Sequence, residues 1–156
     1  MKRKLLTLSL ILKDNKILLG MKKRGFGQGR WNGFGGKVIE GETIEEAAKR
    51  ELKEEVGILA KKLERRGILR FTFDNSPNEL LEVHVFLVSE FEGKPLESEE
   101  MKPQWFKISE IPFNQMWPDD KYWLPLFLKN KKFEGSFHFR NHDVLTSYTL
   151  FEILEA

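Results

Sequence analysis

Three glutamates within one predicted helix have the spacing of a divalent-cation site. Glu51, Glu54 and Glu55 lie at i, i+3 and i+4 within residues 43–56, so they share one side of a helix. Glu51 and Glu55 also continue the apolar stripe that starts at Ile44, where leucine or valine is expected. Clustered carboxylates repel each other and resist losing water, and a bound cation offsets both costs. Because all the ligand atoms are oxygens, Mg²⁺ fits best, with Mn²⁺ as the other candidate.

The alternative for this helix is a solvated acidic surface balanced by Arg50 and Lys53. The segment upstream favours the cation site, because half of the chain's 12 glycines lie between residues 25 and 36. A glycine-rich backbone can approach a ligand closely, and next to carboxylates this suits hydrolysis of a metal-bound di- or triphosphate. A Walker loop is excluded because Val38 stands where serine or threonine is needed, and a Rossmann loop because no helix follows the first glycines directly.

The second candidate site combines aromatic and acidic side chains, as a pocket for a purine base would. Such a pocket needs flat apolar walls and a few polar groups that hydrogen bond to the base edge. Trp117 stands just before the adjacent pair Asp119 and Asp120. Neighbouring carboxylates in an apolar pocket disfavour double ionisation, so one of them can stay protonated and donate a hydrogen bond. The alternative is that both aspartates only cap the helix that follows them.

The other candidates for this pocket have alternatives as core or surface residues. Asn32 carries both a donor and an acceptor for a base edge. Lys22 suits a phosphate, or it belongs with its neighbours to a solvated basic run. Thr7 shares a strand face with Ser9, and this polar pair either supplies a hydroxyl to the ligand or faces water. The candidate aromatic walls, each of which could instead be core, are Phe26, Phe71, Phe73 and Phe139.

Strands outnumber helices among the elements that must hold these residues, and the two do not alternate strictly. This order favours an α+β class with a mixed sheet over a doubly wound fold. The first helix, over residues 43–56, ends at Gly57, and the second runs from about Asp119-Asp120 to residue 129. The strands predicted from period-two patterns and turn residues are residues 4–12, 17–21, 68–73, 80–91, 104–107, 133–140 and 144–151.

The first strand alternates leucines with Thr7, Ser9 and Ile11, which is typical of a half-buried strand. Its basic start and apolar run also resemble a secretory signal, but the run ends at Lys13-Asp14 without a small-residue cleavage site. No stretch reaches the roughly 20 apolar residues of a membrane span. We therefore expect a soluble, cytoplasmic protein.

Length and composition limit the class of protein further. The 156 residues predict one domain, residues 1–156, and 40% hydrophobic with 32% charged residues is typical of a globular chain. A net charge of +2 argues against a nucleic-acid polymer or a membrane as partner. The absence of cysteine excludes disulfides, thiol nucleophiles, zinc fingers and iron–sulfur sites. Residues 61–66 are basic but mixed, and are predicted to form a solvated face.

The segment from Gly36 to Ile58 matches every fixed position of the Nudix box: Gly36, five residues, Glu42, seven residues, then the run from Arg50 to Ile58. The chain therefore resembles the Nudix hydrolases. Over nearly its whole length it is similar to the animal-type MutT homologues, with further matches at residues 20–27, 30–36 and 116–120. The resemblance implies a Nudix α/β/α sandwich, in which a mixed sheet lies between helices, with a loop–helix–loop catalytic module.

The resemblance also implies roles at the phosphates. The carbonyl of Gly36 and the carboxylates of Glu51, Glu54 and Glu55 would bind Mg²⁺, which polarises a phosphoryl oxygen while water is activated. The products would be a nucleoside monophosphate and pyrophosphate. Spacing leaves open which glutamate is the general base, and Glu51 and Glu54 are the first candidates.

Three nearby residues receive roles that are less closely fixed by the resemblance. Arg50 would orient the glutamates, or it forms a surface ion pair with Glu46 and Glu54. Glu100 would assist the metal or the water, or it lies in a charged solvated loop. Glu42 would stabilise the module.

The implied activity is Mg²⁺-dependent hydrolysis of 8-oxo-dGTP and 2-hydroxy-dATP, which clears oxidised purines from the DNA precursor pool. The alternatives are another Nudix substrate, such as ADP-ribose, a dinucleoside polyphosphate or a methylated purine triphosphate, or a nucleotide sensor without hydrolytic activity. The complete set of Arg50, Glu51, Glu54 and Glu55 argues against a sensor, because binding alone does not need it. We expect the modified nucleotide as the partner and a monomer as the oligomeric state.

Overall fold

Eight strands and two α-helices form in the part of the chain that the computed structural model describes, residues 1–154. None of the helices in that part is long and apolar enough to cross a membrane. In chain order the elements are β1 (Lys2–Lys13), β2 (Lys16–Lys22), β3 (Trp31–Asn32), α1 (Ile44–Val56), β4 (Leu59–Phe73), β5 (Ser76–Glu92), β6 (Met101–Lys107), α2 (Asp120–Leu128), β7 (Lys132–Asn141) and β8 (Val144–Ile153).

The described strands join into one sheet of mixed direction. Its order is β3-β2-β1-β5-β4-β7-β8, and β6 pairs with β2 outside this path. β1 is parallel to β5 and β4 is parallel to β7, whereas the hairpins β1–β2, β4–β5 and β7–β8 are antiparallel. The predicted α+β class with a mixed sheet is confirmed.

The two helices pack on opposite faces of this sheet. Neighbouring residues of a strand point to opposite faces, and Leu10 of β1 belongs to the apolar cluster that contains Trp123 of α2. The next residue, Ile11, belongs to a second cluster that contains Leu52 of α1. The sheet therefore lies between two helical layers, as the Nudix sandwich requires.

Helix α1 has strong local signals at both ends. The Thr43 hydroxyl accepts a hydrogen bond from the Glu46 amide, and the Glu46 carboxylate accepts one from the Thr43 amide, which together form a capping box. Gly57 ends the helix in the left-handed region, with φ of 72°. These signals fix where the helix starts and stops, independently of its packing.

The buried stripe of α1 differs from the one predicted. It runs through the alanines and then Leu52 and Val56, which are fully buried, while Glu51 and Glu55 are half-buried at its border. The prediction that the two glutamates occupy the stripe itself is therefore wrong. Because they border it instead, they meet the glycine-rich loop at Gly35 and Gly36.

Strand β1 is buried on both faces, so the half-buried pattern predicted for it is wrong. Thr7 is 3% exposed and Ser9 is 0% exposed, and neither faces water, because α1 packs against this side of β1. The loop after β3 also pairs with β1: the Thr7 amide donates to the Gly36 carbonyl at 2.9 Å, and the Phe34 amide to the Ser9 carbonyl at 2.9 Å. A Cβ on Gly35 would lie 1.8 Å from the Thr7 carbonyl oxygen, so only glycine permits this pairing.

The long hairpin of β4 and β5 contains more chain than predicted. The predicted strand at residues 68–73 is the C-terminal part of β4, and the one at residues 80–91 is the central part of β5. Residues 61–66, predicted to be a solvated face, also lie in β4, and four of these six residues are exposed. Arg66 is buried there and pairs with Glu64 at 3.4 Å. Arg65 donates to Nδ1 of the buried His84 at 2.9 Å. Ion pairs and hydrogen bonds between side chains let this charged segment enter the sheet.

Candidate active site

A cavity of about 200 Å³ is lined by residues of both helices, Asp120 and Trp123 of α2 and Glu55 of α1. Its floor is formed by alternate side chains of neighbouring strands, because residues i and i+2 of a strand share a face. The residues predicted to bind the substrate all line it: Thr7, Lys22, Phe26, Asn32, Phe71, Phe73, Trp117, Asp119, Asp120 and Phe139. The structure thus brings together, from six separate parts of the chain, the side chains that the sequence pattern selected.

The acid pair at the start of α2 is buried at this cavity. Asp119 and Asp120 are each 3% exposed. The Trp123 indole nitrogen donates to Oδ2 of Asp119 at 2.8 Å, whereas Oδ2 of Asp120 is buried without a hydrogen-bond partner among the described residues. Neither carboxylate caps the helix, so the capping alternative is wrong.

The surroundings of the pair favour one proton on it. Burial raises the pKa of Asp119. Burial, and then the negative charge of Asp119, raise the pKa of Asp120 well above its ordinary value. A pair of this kind resists carrying two negative charges, so one carboxyl can donate a hydrogen bond while the other accepts one.

Aromatic rings from β4 and β7 form the walls of the cavity. Phe71 and Phe73 are neighbours on one face of β4, and the Phe139 ring lies 6.3 Å and 5.5 Å from theirs, centre to centre. Trp117 stands edge-on to Phe139 at 6.2 Å. Phe73 and Phe139 are also buried members of the apolar core. Core and cavity wall are therefore the same residues here, and the two explanations offered by the sequence do not compete.

The mouth of the cavity is formed by the loop between β2 and β3. Phe26, 59% exposed, packs its ring 5.1 Å from that of Trp117. Gly25 and Gly27 have φ of 83° and 85°, a region that side chains other than glycine rarely adopt. The glycines thus let the loop turn back and place Phe26 over the indole.

Three polar side chains complete the lining. The Thr7 hydroxyl is buried without a partner among the described residues. The Asn32 side-chain oxygen accepts a hydrogen bond from the Gly33 amide at 2.8 Å, which fixes the orientation of the Asn32 side chain. Lys22 lies at the other end of the cavity, where its positive charge acts on Glu55.

The glutamates of α1 meet the glycine-rich loop at the edge of the same cavity. Glu55 accepts a hydrogen bond from the Gly35 amide at 2.8 Å. A Cβ on Gly36 would lie 2.7 Å from the Glu51 carboxylate, so this side chain reaches the backbone of the loop. Burial, together with the negative charge of Glu51, raises the pKa of Glu55 to about 7.

Arg50 ties the helix to this loop. Its guanidinium donates to Glu42 and Glu51, each at 2.8 Å, and to the carbonyl of Lys37 at 3.0 Å. The hydrogen bond from Arg50 lowers the pKa of Glu42. The predicted surface pair with Glu46 does not form, because Glu46 belongs to the capping box instead.

The predicted convergence of three carboxylates is not what the structure shows. Within residues 1–154, no three His, Asp or Glu side chains are gathered closely enough to form a metal site. Glu54 is 60% exposed and pairs with Arg50 at 3.2 Å. Glu100 pairs with Arg24 at 3.3 Å in an exposed loop. One nitrogen of Arg50 donates to both Glu51 and Glu54, and the negative charge of Glu100 still contributes to the raised pKa of Glu55.

The remaining groups nevertheless fit a hard divalent ion. The carboxylates of Glu51 and Glu55 both lie against the backbone at Gly35 and Gly36. The Gly36 carbonyl accepts one hydrogen bond, from Thr7, and keeps its second lone pair. All of these donors are oxygens, and the pKa of Glu55 is raised mainly by burial and then by the negative charge of Glu51, two costs that a bound cation would offset.

Several lining residues were missed at the sequence level. Trp123 could have been found from helical spacing, since it lies at i+4 from Asp119. Val83 could have been found from the period-two alternation of β5. Arg30 had no local signal, because its contacts are with residues more than 80 positions away.

Comparisons with known proteins agree with this architecture. The NUDIX domain family matches residues 3–127. Oxidized purine nucleoside triphosphate hydrolase of Mus musculus is 56% identical over 150 residues, and the protein of the same name from Danio rerio is 54% identical, with 96% of each chain covered in both cases. The crystal structure of a MutT protein from Bacillus halodurans superimposes with a TM-score of 0.85 at 31% identity, covering 94% of this chain and 97% of that one.

Proposed function

We propose, from the premise that this chain belongs to the Nudix family of hydrolases, that it hydrolyses oxidised purine nucleoside triphosphates to the monophosphate and pyrophosphate. One observation supports this choice above others. A buried acid pair, with one carboxylate oxygen left without a partner, lies in an aromatic cavity whose other end meets the glutamates of α1. A purine base would pair with the acid pair at one end, and the phosphates of the same nucleotide would meet the α1 glutamates at the other.

At the base end, Asp119 and Asp120 would hydrogen bond to the purine edge. A guanine-type edge offers a carbonyl acceptor and an N–H donor side by side, which matches one protonated and one ionised carboxyl. Because the proton can sit on either carboxyl, the pair would also accept 2-hydroxyadenine, whose edge differs. Asn32 and Thr7 would bind the remaining polar groups of the base, while Trp117, Phe71, Phe73 and Phe139 enclose its faces.

At the phosphate end, we assign the binding of a divalent ion, Mg²⁺ with Mn²⁺ as a substitute, to the Gly36 carbonyl and to Glu51 and Glu55. Glu54 completes the set that the Nudix box implies, and Glu100 is the further candidate. When bound, the ion would supply Lewis-acid stabilisation of the phosphoryl oxygens and of the leaving pyrophosphate.

The chain's own groups would do the remaining work at the phosphates. Lys22 would neutralise phosphate charge, and Phe26 would shield the mouth from water. Glu51 or Glu54 would accept the proton of the attacking water. Arg50 would hold both glutamates in place, as its hydrogen bonds to them indicate.

The test is pyrophosphate release with Mg²⁺ from 8-oxo-dGTP, 2-hydroxy-dATP and unmodified dGTP. We expect a higher kcat/KM for both oxidised nucleotides than for dGTP. Equal values for all three would contradict the substrate assignment. Turnover confined to ADP-ribose, a dinucleoside polyphosphate or a methylated purine triphosphate, measured in the same panel, would replace it with another Nudix substrate. Binding without any turnover would indicate a sensor.

We also propose that residues 1–156 form a single domain that acts as a monomer in the cytoplasm. The relatives from mouse and zebrafish match over 96% of the chain, which supports one continuous unit. The site described above is built within a single chain, which supports a monomer. Light scattering coupled to gel filtration measures the mass directly, and twice the chain mass would contradict a monomer.

A further inference from the structure

Arg30 occupies an unusual place at the mouth of the cavity. It is the last residue of the loop between β2 and β3, and its side chain is only 19% exposed. Its guanidinium carbon stands 4.3 Å from the centre of the Trp117 ring. A planar cation over an indole face is favourable by electrostatics and by stacking.

The same guanidinium is held from the opposite side of the mouth. It donates to the carbonyl oxygen of His142 at 2.8 Å and to the carboxylate of Asp143, both in the turn between β7 and β8. The His142 ring stands edge-on to the ring of Phe26, 4.8 Å away. Arg30 thus connects three parts of the chain that meet at the mouth: its own loop, the turn after β7, and Trp117.

We propose that Arg30 is a positioning residue for the purine base, which holds Trp117 and the two sides of the mouth in the arrangement that accepts the base. This inference rests on the proposed function and identifies a specificity element of the same site. Arg30 would act through Trp117 and the mouth, and it takes no part in the chemistry at the phosphates.

Two features make the arginine necessary for this arrangement. The loop before it contains Gly25, Gly27 and Gly29, all with φ near 84°, and glycines give a loop many alternative conformations. The exposed ring of Phe26 contacts the rings of Trp117 and His142 in the mouth, and contacts between rings are less directional than hydrogen bonds. Directional hydrogen bonds from Arg30 to the opposite turn supply that constraint.

The charge of Arg30 also reaches the acid pair. Asp119 and Asp120 are buried next to each other and to the Trp123 indole. The positive charge of Arg30, at the mouth, lowers the pKa of both carboxyls. Removal of that charge therefore raises the pKa of both carboxyls further. The shared proton should then persist to higher pH, which a purely structural role of Arg30 would not produce.

The test compares full-length Arg30→Gln, Arg30→Lys and Asp143→Asn with the wild type, and uses Arg140→Gln as the matched control. Arg140 is an exposed arginine at the end of β7, close in the chain to the same turn, and it lines no part of the cavity. The measurements are kcat and KM for 8-oxo-dGTP with Mg²⁺ between pH 6 and 9, and the Kd of 8-oxo-dGMP by calorimetry in EDTA.

We expect Arg30→Gln to raise KM and Kd about 5- to 10-fold, with kcat within about twofold of the wild type. KM should rise at alkaline pH as the acid pair loses its shared proton, and in Arg30→Gln this rise should occur at higher pH than in the wild type. Arg30→Lys keeps the charge and should restore the pH profile, while KM stays raised because the planar contact is lost. Asp143→Asn should raise KM about threefold, and Arg140→Gln should match the wild type.

Unchanged KM and Kd in Arg30→Gln would overturn the inference, and so would a fall in kcat alone. An equal effect of Arg140→Gln would also overturn it, because loss of charge near the turn would then be sufficient. If circular dichroism shows that Arg30→Gln does not fold, Arg30→Lys and Asp143→Asn decide by the same criteria. Absence of turnover by the wild type would instead defeat the proposed function, on which this inference depends.

Discussion

One guanidinium distributes its hydrogen bonds among three glutamates at the phosphate end of the site. Arg50 contacts Glu42 and Glu51 on the loop side and Glu54 on the exposed side of α1. Each carboxylate therefore has a charged partner in the protein alone. A cation bound there would compete with Arg50 for the carboxylates. Without the cation, the hydrogen bonds of Arg50 hold these carboxylates close to the positions that they would take around it.

Glu54→Gln tests the assignment of this exposed glutamate. We expect kcat to fall by at least about 10²-fold, because the amide cannot accept a proton from water, while the Kd of 8-oxo-dGMP stays within about twofold, because the base end is untouched. Glu45→Gln, an exposed glutamate in the first turn of the same helix, is the control and should retain full activity. Unchanged turnover in Glu54→Gln would show that this residue is misassigned.

The acid pair predicts a pH-dependent stability. An acid whose pKa is higher in the folded protein than in the unfolded chain contributes stability below its unfolded pKa, and this contribution is lost as the pH rises. Burial raises the pKa of Asp120 in this way. Asp120→Asn should therefore gain stability relative to the wild type as the pH increases from about 4 to about 8. Urea unfolding across this range measures the difference, and a constant difference would contradict the raised pKa.

At the scale of elements, the pairing of residues 34–37 with β1 depends on the absence of a side chain at Gly35. Gly35→Ala should reduce the free energy of unfolding by about 2–3 kcal/mol, because the new methyl collides with backbone that cannot move alone. Gly29→Ala is the comparison: nothing lies within 4 Å of its Cβ position, but φ is +84°. It should cost only about 1 kcal/mol from backbone strain. Chemical denaturation measures both, and equal losses would contradict the collision.

Local signals allowed the elements around the site to be predicted, while long-range pairing decided the rest. Residues 43–56 and Gly57 have the composition of a helix and its end, and α1 forms almost as predicted. The charges at residues 61–66 indicated a solvated face, and four of these residues are exposed, but their pairing with β5 and the burial of Arg66 had no local signal. β3, only two residues long, offered no periodicity at all.

The candidate site divides in the same way. Residue types in the Nudix box and around Trp117 selected the side chains that line the cavity, because chemistry restricts which residues can serve. The role of Thr7 was left open, since its burial depends on α1 packing over β1. Arg30 could not be found from the sequence, because its partners come from the turn at His142 and Asp143 and from Trp117.

At the scale of the whole molecule, ligand binding should stabilise both halves of the sandwich together. A ligand at about 100 times its Kd adds about 2.7 kcal/mol to the folded state, which corresponds to a rise in Tm of roughly 5–10 °C for a domain of this size. We expect 8-oxo-dGMP to produce such a rise in the presence of EDTA, because the base end lies in the common core. Unmodified dGMP at the same concentration is the control and should give a smaller rise, and an equal rise would contradict recognition of the oxidised base.

The backbone hydrogen bond between Thr7 and Gly36 sets the distance between the two ends of the site. Thr7 belongs to the base end and Gly36 to the phosphate end, and 2.9 Å of backbone contact joins them. The span from purine to phosphorus is consequently set by main-chain atoms, which substitutions of the side chains around the base leave in place. Evolution or engineering could exchange the residues around the base to admit different nucleotides, and the enzyme would still cut at the same bond.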